Sequence, residues 1–149
     1  MMYLESQHKE NPLIPTNKED YALFLTRYFQ YVAKTDQTTI LRPVLFNNQT
    51  KENLTDKIAA LLKEHAELDK ALEGRNYLAN TFSIADIALI GLVAANVEVL
   101  GLDLKPFPNL QRWYQLMWTR PSVRDTCTFV DEVKKNFPNY QKVLLGATP

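Results

Sequence analysis

Glycine and cysteine are scarce in this chain of 149 residues, which contains four glycines and one cysteine. Cys127 has no second cysteine with which to form an internal disulfide, so a small domain stapled by disulfides is excluded. A lone cysteine suits a reducing compartment, and we expect a cytoplasmic protein. Scarce glycines, together with prolines clustered at the edges of periodic segments, are typical of an all-helical domain.

The chain also lacks an excess of either charge, because 17 basic and 17 acidic side chains cancel. Nucleic-acid binding needs a basic excess on some face, so no nucleic-acid partner is predicted. The longest uninterrupted apolar run, from Ile87 to Ala95, has nine residues. A bilayer span needs about 20, so no membrane association is predicted. The segment from Met1 to Ser6 has neither the basic stretch nor the apolar core of a signal peptide.

Catalytic and metal-binding patterns are missing as well. The two histidines, His8 and His65, are far apart and have no neighbouring ligand pattern, so no metal is predicted. His65 is expected on the polar edge of an amphipathic helix. Cys127 has no histidine nearby and is expected to be a partly buried, unreactive thiol. The chain has no glycine-rich phosphate loop, and nothing in it sets Ser, His and Asp in a triad.

What the sequence does contain is helical periodicity, in a composition that fits one globular domain with 46% hydrophobic residues. Thr16 to Glu19 predicts a capping box that starts a first helix. Pro43 makes Thr38 to Asn48 a kinked or separate helix. Ser83 to Leu100 is apolar nearly all round and predicts the buried central helix, and Asn109 is expected to cap the helix after it. The clearest amphipathic helix, Lys51 to Leu72, has an apolar stripe of Leu54, Ile58, Leu61, Leu62, Leu68 and Leu72.

The most informative local pattern is the segment from Phe82 to Ile87, which begins the central helix. Ser83 can accept a hydrogen bond from the backbone N–H of Asp86, and the Asp86 carboxylate can accept one from the N–H of Ser83. The end of a buried helix cannot rely on water, so this reciprocal cap carries more weight than one at the surface. Ser83 and Asp86 are therefore predicted to be structural, and Asp86 is not nominated as a catalytic carboxylate.

At these residues the sequence resembles a known family. Leu78 to Asp86 resembles the capping-box signature in the C-terminal helical domain of glutathione S-transferases, with Asn80 at the position of the usual glycine. Phe107 to Trp113 and Arg120 to Val123 resemble later motifs of the same family, in order and at fitting distances. Tyr3-Leu4 resembles the last helix of the family's N-terminal thioredoxin-like domain. Within the family the chain looks most like the theta, phi and related bacterial forms.

The resemblance implies an all-α bundle of five to six helices. Residues 1–15 would be the remnant of the thioredoxin-like domain's last helix plus the interdomain linker, and residues 16–149 the C-terminal helical domain. In the complete enzyme, glutathione is the co-substrate, and its thiolate attacks a hydrophobic electrophile held against this domain. The family binds glutathione mainly through the thioredoxin-like domain. No cofactor and no catalytic residue is therefore expected in this chain, which is predicted to be inactive alone.

The resemblance also implies site residues and partners. By alignment to the family's long pocket-lining helix, Thr39, Arg42 and Phe46 are the candidates for the electrophile pocket wall. The expected partners are the hydrophobic electrophile, a second copy in a homodimer and the missing thioredoxin-like domain, in a detoxification role. The alternative is a non-catalytic interaction module, since related helical domains occur in translation elongation factor subunits and appended to aminoacyl-tRNA synthetases.

Overall fold

The computed structural model describes residues 3, 7, 10, 12–32, 40–47 and 49–137, with the side chain of Phe129 left undescribed. Within these ranges the chain is helical and contains no strand, which confirms the predicted all-α fold. Thr39, His8 and the Leu4 to Ser6 segment lie outside the described residues. The α-helices in chain order are α1 (Lys18–Arg27), α2 (Leu41–Asn47), α3 (Thr55–Ala71), α4 (Ile84–Ala94), α5 (Pro108–Trp118), α6 (Pro121–Thr126) and α7 (Phe129–Asn136).

Two of these helices are continued by a wider turn. A π-helical turn, Tyr28–Val32, follows α1, and a second, Ala95–Val99, follows α4. Gly101, with φ of 70°, stands just beyond the second turn. A positive φ costs glycine little, so it is a suitable residue for the end of a helix.

The apolar core forms two clusters among the described residues. The larger one packs α1, α3, α4 and α5 together and includes the fully buried Phe24, Leu72 and Trp113. The smaller one lies beneath α2 and α7 and consists of Ile40, Val44, Leu54, Val99, Leu100 and Val130. The central segment joins the two, because Ile84 to Ala94 belongs to the larger cluster while Val99 and Leu100 belong to the smaller.

The first helix starts one residue later than a Thr16 cap would place it. Asn17 is the N-cap, and its Oδ1 accepts a hydrogen bond from the N–H of Asp20 at 2.8 Å. Asparagine is at least as good an N-cap as threonine, which explains the difference. On the same helix and its π turn, Phe24 and Tyr31 are buried, whereas Tyr21 and Phe29 are exposed.

Two expectations for the amphipathic helix are wrong. His65, placed on the polar edge, is only 5% exposed, and Leu62, placed in the apolar stripe, is 39% exposed. The geometry of the helix accounts for both, because Leu61, His65 and Leu68 follow one another at spacings of four and three residues. Leu62 falls outside that line.

Pro43 does not kink its helix. It is the third residue of α2, within the first turn, where a missing N–H leaves no intrahelical bond unmade. The segment is therefore a separate short helix, one of the two forms that the proline predicts.

Candidate functional site

The candidate pocket-wall residues Arg42 and Phe46 lie on α2, and both are exposed. They are four residues apart, so they share one face of the helix. The opposite face of α2 buries Val44 in the smaller core cluster. This anchoring leaves Phe46, a large aromatic side chain, 66% exposed. The third candidate, Thr39, lies outside the described residues.

Phe137, which sequence reasoning did not single out, contacts Phe46. The two rings meet edge to face, with centroids 5.6 Å apart and an interplanar angle of 74°. Phe137 directly follows α7, so the pair brings together two segments some 90 positions apart along the chain. No local pattern could have found this contact, since only the packing of α2 beside α7 creates it.

Glu98 ties α7 to the rest of the bundle. The Tyr114 hydroxyl of α5 donates a hydrogen bond to Glu98 Oε1 at 2.9 Å, and Lys134 Nζ of α7 lies 3.2 Å from Glu98 Oε2. Burial, reinforced by the neighbouring Glu98 carboxylate, raises the pKa of Tyr114, which therefore remains a neutral donor. The Glu98 carboxylate therefore connects α5 with α7, the helix that precedes Phe137.

Asp86 is the most connected buried polar group of the described chain. Its Oδ2 accepts from the N–H and the hydroxyl of Ser83, both at 3.0 Å, and the capping box of α4 is formed. Its Oδ1 accepts from the N–H of Leu78 and from Trp113 Nε1, both at 2.9 Å. The carboxylate therefore joins the loop before α4, the start of α4 and the middle of α5.

These four donors define what Asp86 does. The residue is fully buried, so desolvation raises the pKa of its carboxyl, while the hydrogen bonds from Leu78, Trp113 and Ser83 oppose that rise. All the contacts are to protein donors, and none of the carboxylate is exposed to a substrate. The arrangement supports a structural role and offers no route to general acid or base chemistry.

A second acidic cap escaped the sequence reasoning. The Asp69 carboxylate of α3 accepts hydrogen bonds from the N–H groups of Asn109 and Leu110, at 2.7 and 2.9 Å, and from the Asn109 side chain at 3.1 Å. Asn109 was expected to cap this helix, but α5 begins at Pro108 and Asn109 lies inside it. The capping acceptor comes from another helix, where sequence spacing gives no signal.

Neither a metal site nor a membrane span is found in the part of the chain that the structure describes. Within these residues, no three His, Cys, Asp or Glu side chains are grouped so that they could hold a metal ion. None of the described helices is both long and apolar enough to cross a bilayer. Cys127 is buried, and burial raises the pKa of its thiol.

Comparison with known proteins identifies the family. A family model described as the C-terminal domain of glutathione S-transferase matches residues 20–121. Glutathione S-transferase D6 of Drosophila melanogaster is 34% identical over 121 residues, which cover 77% of this chain and 54% of the relative. The chain therefore spans about half the length of this curated relative.

Solved structures of transferases share the fold. Glutathione transferase E6 from Drosophila melanogaster superposes with a TM-score of 0.76 at 24% identity, covering 96% of this chain and 67% of that one. A glutathione transferase homolog from Drosophila mojavensis, with bound glutathione, gives a TM-score of 0.79 at 22% identity, covering 93% and 65% of the two chains. With the family match over residues 20–121, these findings show that the chain belongs to the glutathione S-transferase family and contains its C-terminal helical domain.

Proposed function

We propose that this chain forms the electrophile-binding part of a glutathione transferase. Glutathione is the co-substrate in the complete protein, and its thiolate attacks a hydrophobic electrophile that this domain holds and orients. The family match and the Drosophila mojavensis relative with bound glutathione support this proposal. In this proposal residues 1–15 are the end of a thioredoxin-like domain with its linker, residues 16–149 are the helical domain, and the complete protein is a homodimer active in detoxification.

The observation that carries the proposal is the aromatic pair on the α2–α7 side of the bundle, in which Phe46 is exposed and Phe137 is partly buried. Val44, on the opposite face of α2, packs in the smaller core cluster and anchors the helix, while Phe46 keeps most of its surface open. Its edge-to-face contact with Phe137 holds the ring in one orientation. A held, exposed aromatic ring is a suitable wall for a flat apolar electrophile. Arg42, on the same face, places hydrogen-bond donors at the rim, and Thr39 is proposed for the same wall.

The thiolate chemistry is assigned to the complete protein rather than to these helices. The hydroxyl–carboxylate contacts described above, Ser83 with Asp86 and Tyr114 with Glu98, belong to the start of α4 and to the packing of α5. The buried carboxylate of Asp86 is used by four structural donors. We therefore expect the chain alone to show no glutathione conjugation and no retention on glutathione resin. A hybrid in which the N-terminal domain of the Drosophila D6 relative precedes this chain should conjugate glutathione to an activated aryl halide.

The hybrid also tests whether Phe46 forms part of the electrophile-binding surface. Phe46→Ala should raise the KM for the aryl halide about two- to tenfold, the range that loss of one aromatic contact supports, with no change in the KM for glutathione. Leu62→Ala, a truncation at an exposed position of α3, is the matched control and should change neither constant. Glutathione-dependent turnover by the chain alone would overturn the assignment of the thiolate chemistry to the N-terminal domain. An unchanged KM in the Phe46 variant would overturn the assignment of the wall.

A further inference from the structure

A small cavity lies between helices of the bundle, and its lining includes none of Arg42, Phe46 and Phe137. It opens between the π turn after α1, the middle of α3 and the second half of α4, and its volume is about 90 Å³. Its apolar floor is formed by Leu68, Leu89 and Val93, all nearly fully buried. Polar side chains complete the lining, namely Gln30, Tyr31, Glu64, Glu67 and Asn96. The cavity therefore combines an apolar floor with hydrogen-bonding groups around it.

His65, which also lines this cavity, has one ring nitrogen in use and one without a partner. Its Nδ1 lies 2.8 Å from the carbonyl oxygen of Leu61. A carbonyl can only accept, so Nδ1 carries the proton and Nε2 of the neutral ring is an acceptor. Nε2 is buried and has no hydrogen-bond partner among the residues that the structure describes. The ring is held in place by a tilted contact with Phe107, at 5.9 Å between centroids.

We propose that this cavity is a binding site for a small, neutral, largely apolar molecule that carries one N–H or O–H donor, and that His65 Nε2 accepts the hydrogen bond from that donor. The apolar floor selects the body of the ligand, and the unprotonated nitrogen selects its donor. A buried acceptor without a partner is unfavourable, so a ligand that supplies a donor gains from satisfying it. The site is separate from the proposed electrophile wall and does not depend on glutathione.

The size of the cavity limits the ligand. A volume of about 90 Å³ is smaller than the cavity of about 150 Å³ known to hold benzene. Five-membered rings and short alcohols are therefore the appropriate class. Pyrrole and furan make a matched pair of probes, because they have nearly the same shape and only pyrrole carries an N–H donor.

The experiment is a titration of the chain with each probe at neutral pH, followed through the methyl resonances of Leu89 and Val93 and the ring resonances of His65. Pyrrole should bind about three- to tenfold more tightly than furan, the range that one net hydrogen bond supports. His65→Phe removes the acceptor and should abolish this preference while leaving weak binding of both probes.

Two leucine variants control for folding and for nonspecific effects. Leu92→Phe places a larger side chain in the cavity lining and should prevent binding of both probes. Leu62→Phe makes the same exchange at an exposed position of α3 that does not line the cavity, and it should bind like the parent. The proposal would be overturned if the parent chain bound pyrrole and furan equally tightly or bound neither. It would also be overturned if the cavity held water that pyrrole does not displace.

Discussion

Replacing Asp86 by alanine should destabilise the fold severely, and the structure allows the loss to be worked out. The carboxylate accepts hydrogen bonds from the N–H groups of Leu78, Ser83 and Trp113, and from the Ser83 hydroxyl. The hydroxyl can rotate toward another acceptor, but the three N–H groups cannot. Each buried donor left unpaired costs about 1–3 kcal/mol, whereas removing a buried charge recovers part of its desolvation. We expect a net loss of about 3–5 kcal/mol, a large share of the stability of a typical domain.

The assay is equilibrium unfolding in urea, followed by tryptophan fluorescence and by far-ultraviolet circular dichroism. Asp103→Ala is the matched control, because Asp103 lies at the surface, where its carboxylate accepts the exposed N–H of Lys105 at 2.9 Å and is 4.0 Å from Lys105 Nζ. This exchange should change the free energy of unfolding by less than about 1 kcal/mol. Trp113→Phe removes one of the donors, so it should cost less in the Asp86→Ala background than in the parent. An Asp86→Ala variant that unfolds within 1 kcal/mol of the parent, on the order of one hydrogen bond, would refute this account of the buried carboxylate.

Three further predictions rest on single side chains. Asp69→Ala removes the cap that α3 supplies to α5 and should lower the free energy of unfolding by about 1–2 kcal/mol. The measurement is unfolding in urea, with Asp103→Ala as the control, and an unchanged free energy of unfolding would contradict the role of Asp69 as a cap. Burial lowers the pKa of His65 below 6.5, so below that pH the unfolded chain binds a proton that the folded chain excludes. The free energy of unfolding should therefore fall as the pH drops below 6.5, and it should fall less steeply in the His65→Gln variant. Equally steep profiles for the parent and the variant would contradict the role assigned to His65. Cys127 should react slowly with a thiol reagent in the native protein and rapidly in denaturant, because the thiol is buried and its pKa is raised; equal rates would show that the thiol is accessible.

Local features of the fold were within reach of the sequence. The Ser83–Asp86 spacing of three residues is a contact within one helical turn, so the pattern itself specifies the geometry. The apolar character of Ile84 to Ala94 likewise predicts a central helix, because a helix without a polar face has to be surrounded. Both inferences need only neighbours along the chain.

Contacts between helices were not within reach. Trp113 and Leu78 join Asp86, and Asp69 caps α5, because tertiary packing places them there. Phe137 at the aromatic pair is a further case. The position of His65 is different, since its place in line with Leu61 and Leu68 was visible in the sequence. Its polar ring suggested an exposed edge, whereas helix geometry assigned it to the buried face.

The division of the core into two clusters separates the hydrogen bonds of Asp86 from the packing around Phe46. The hydrogen bonds that hold the bundle in register meet at Asp86 and Trp113, in and around the larger cluster. The exposed Phe46 meets the smaller one through Phe137, which packs against it. Substitutions in the smaller cluster can therefore reshape the surface beneath Phe46 while leaving the contacts of Asp86 in place.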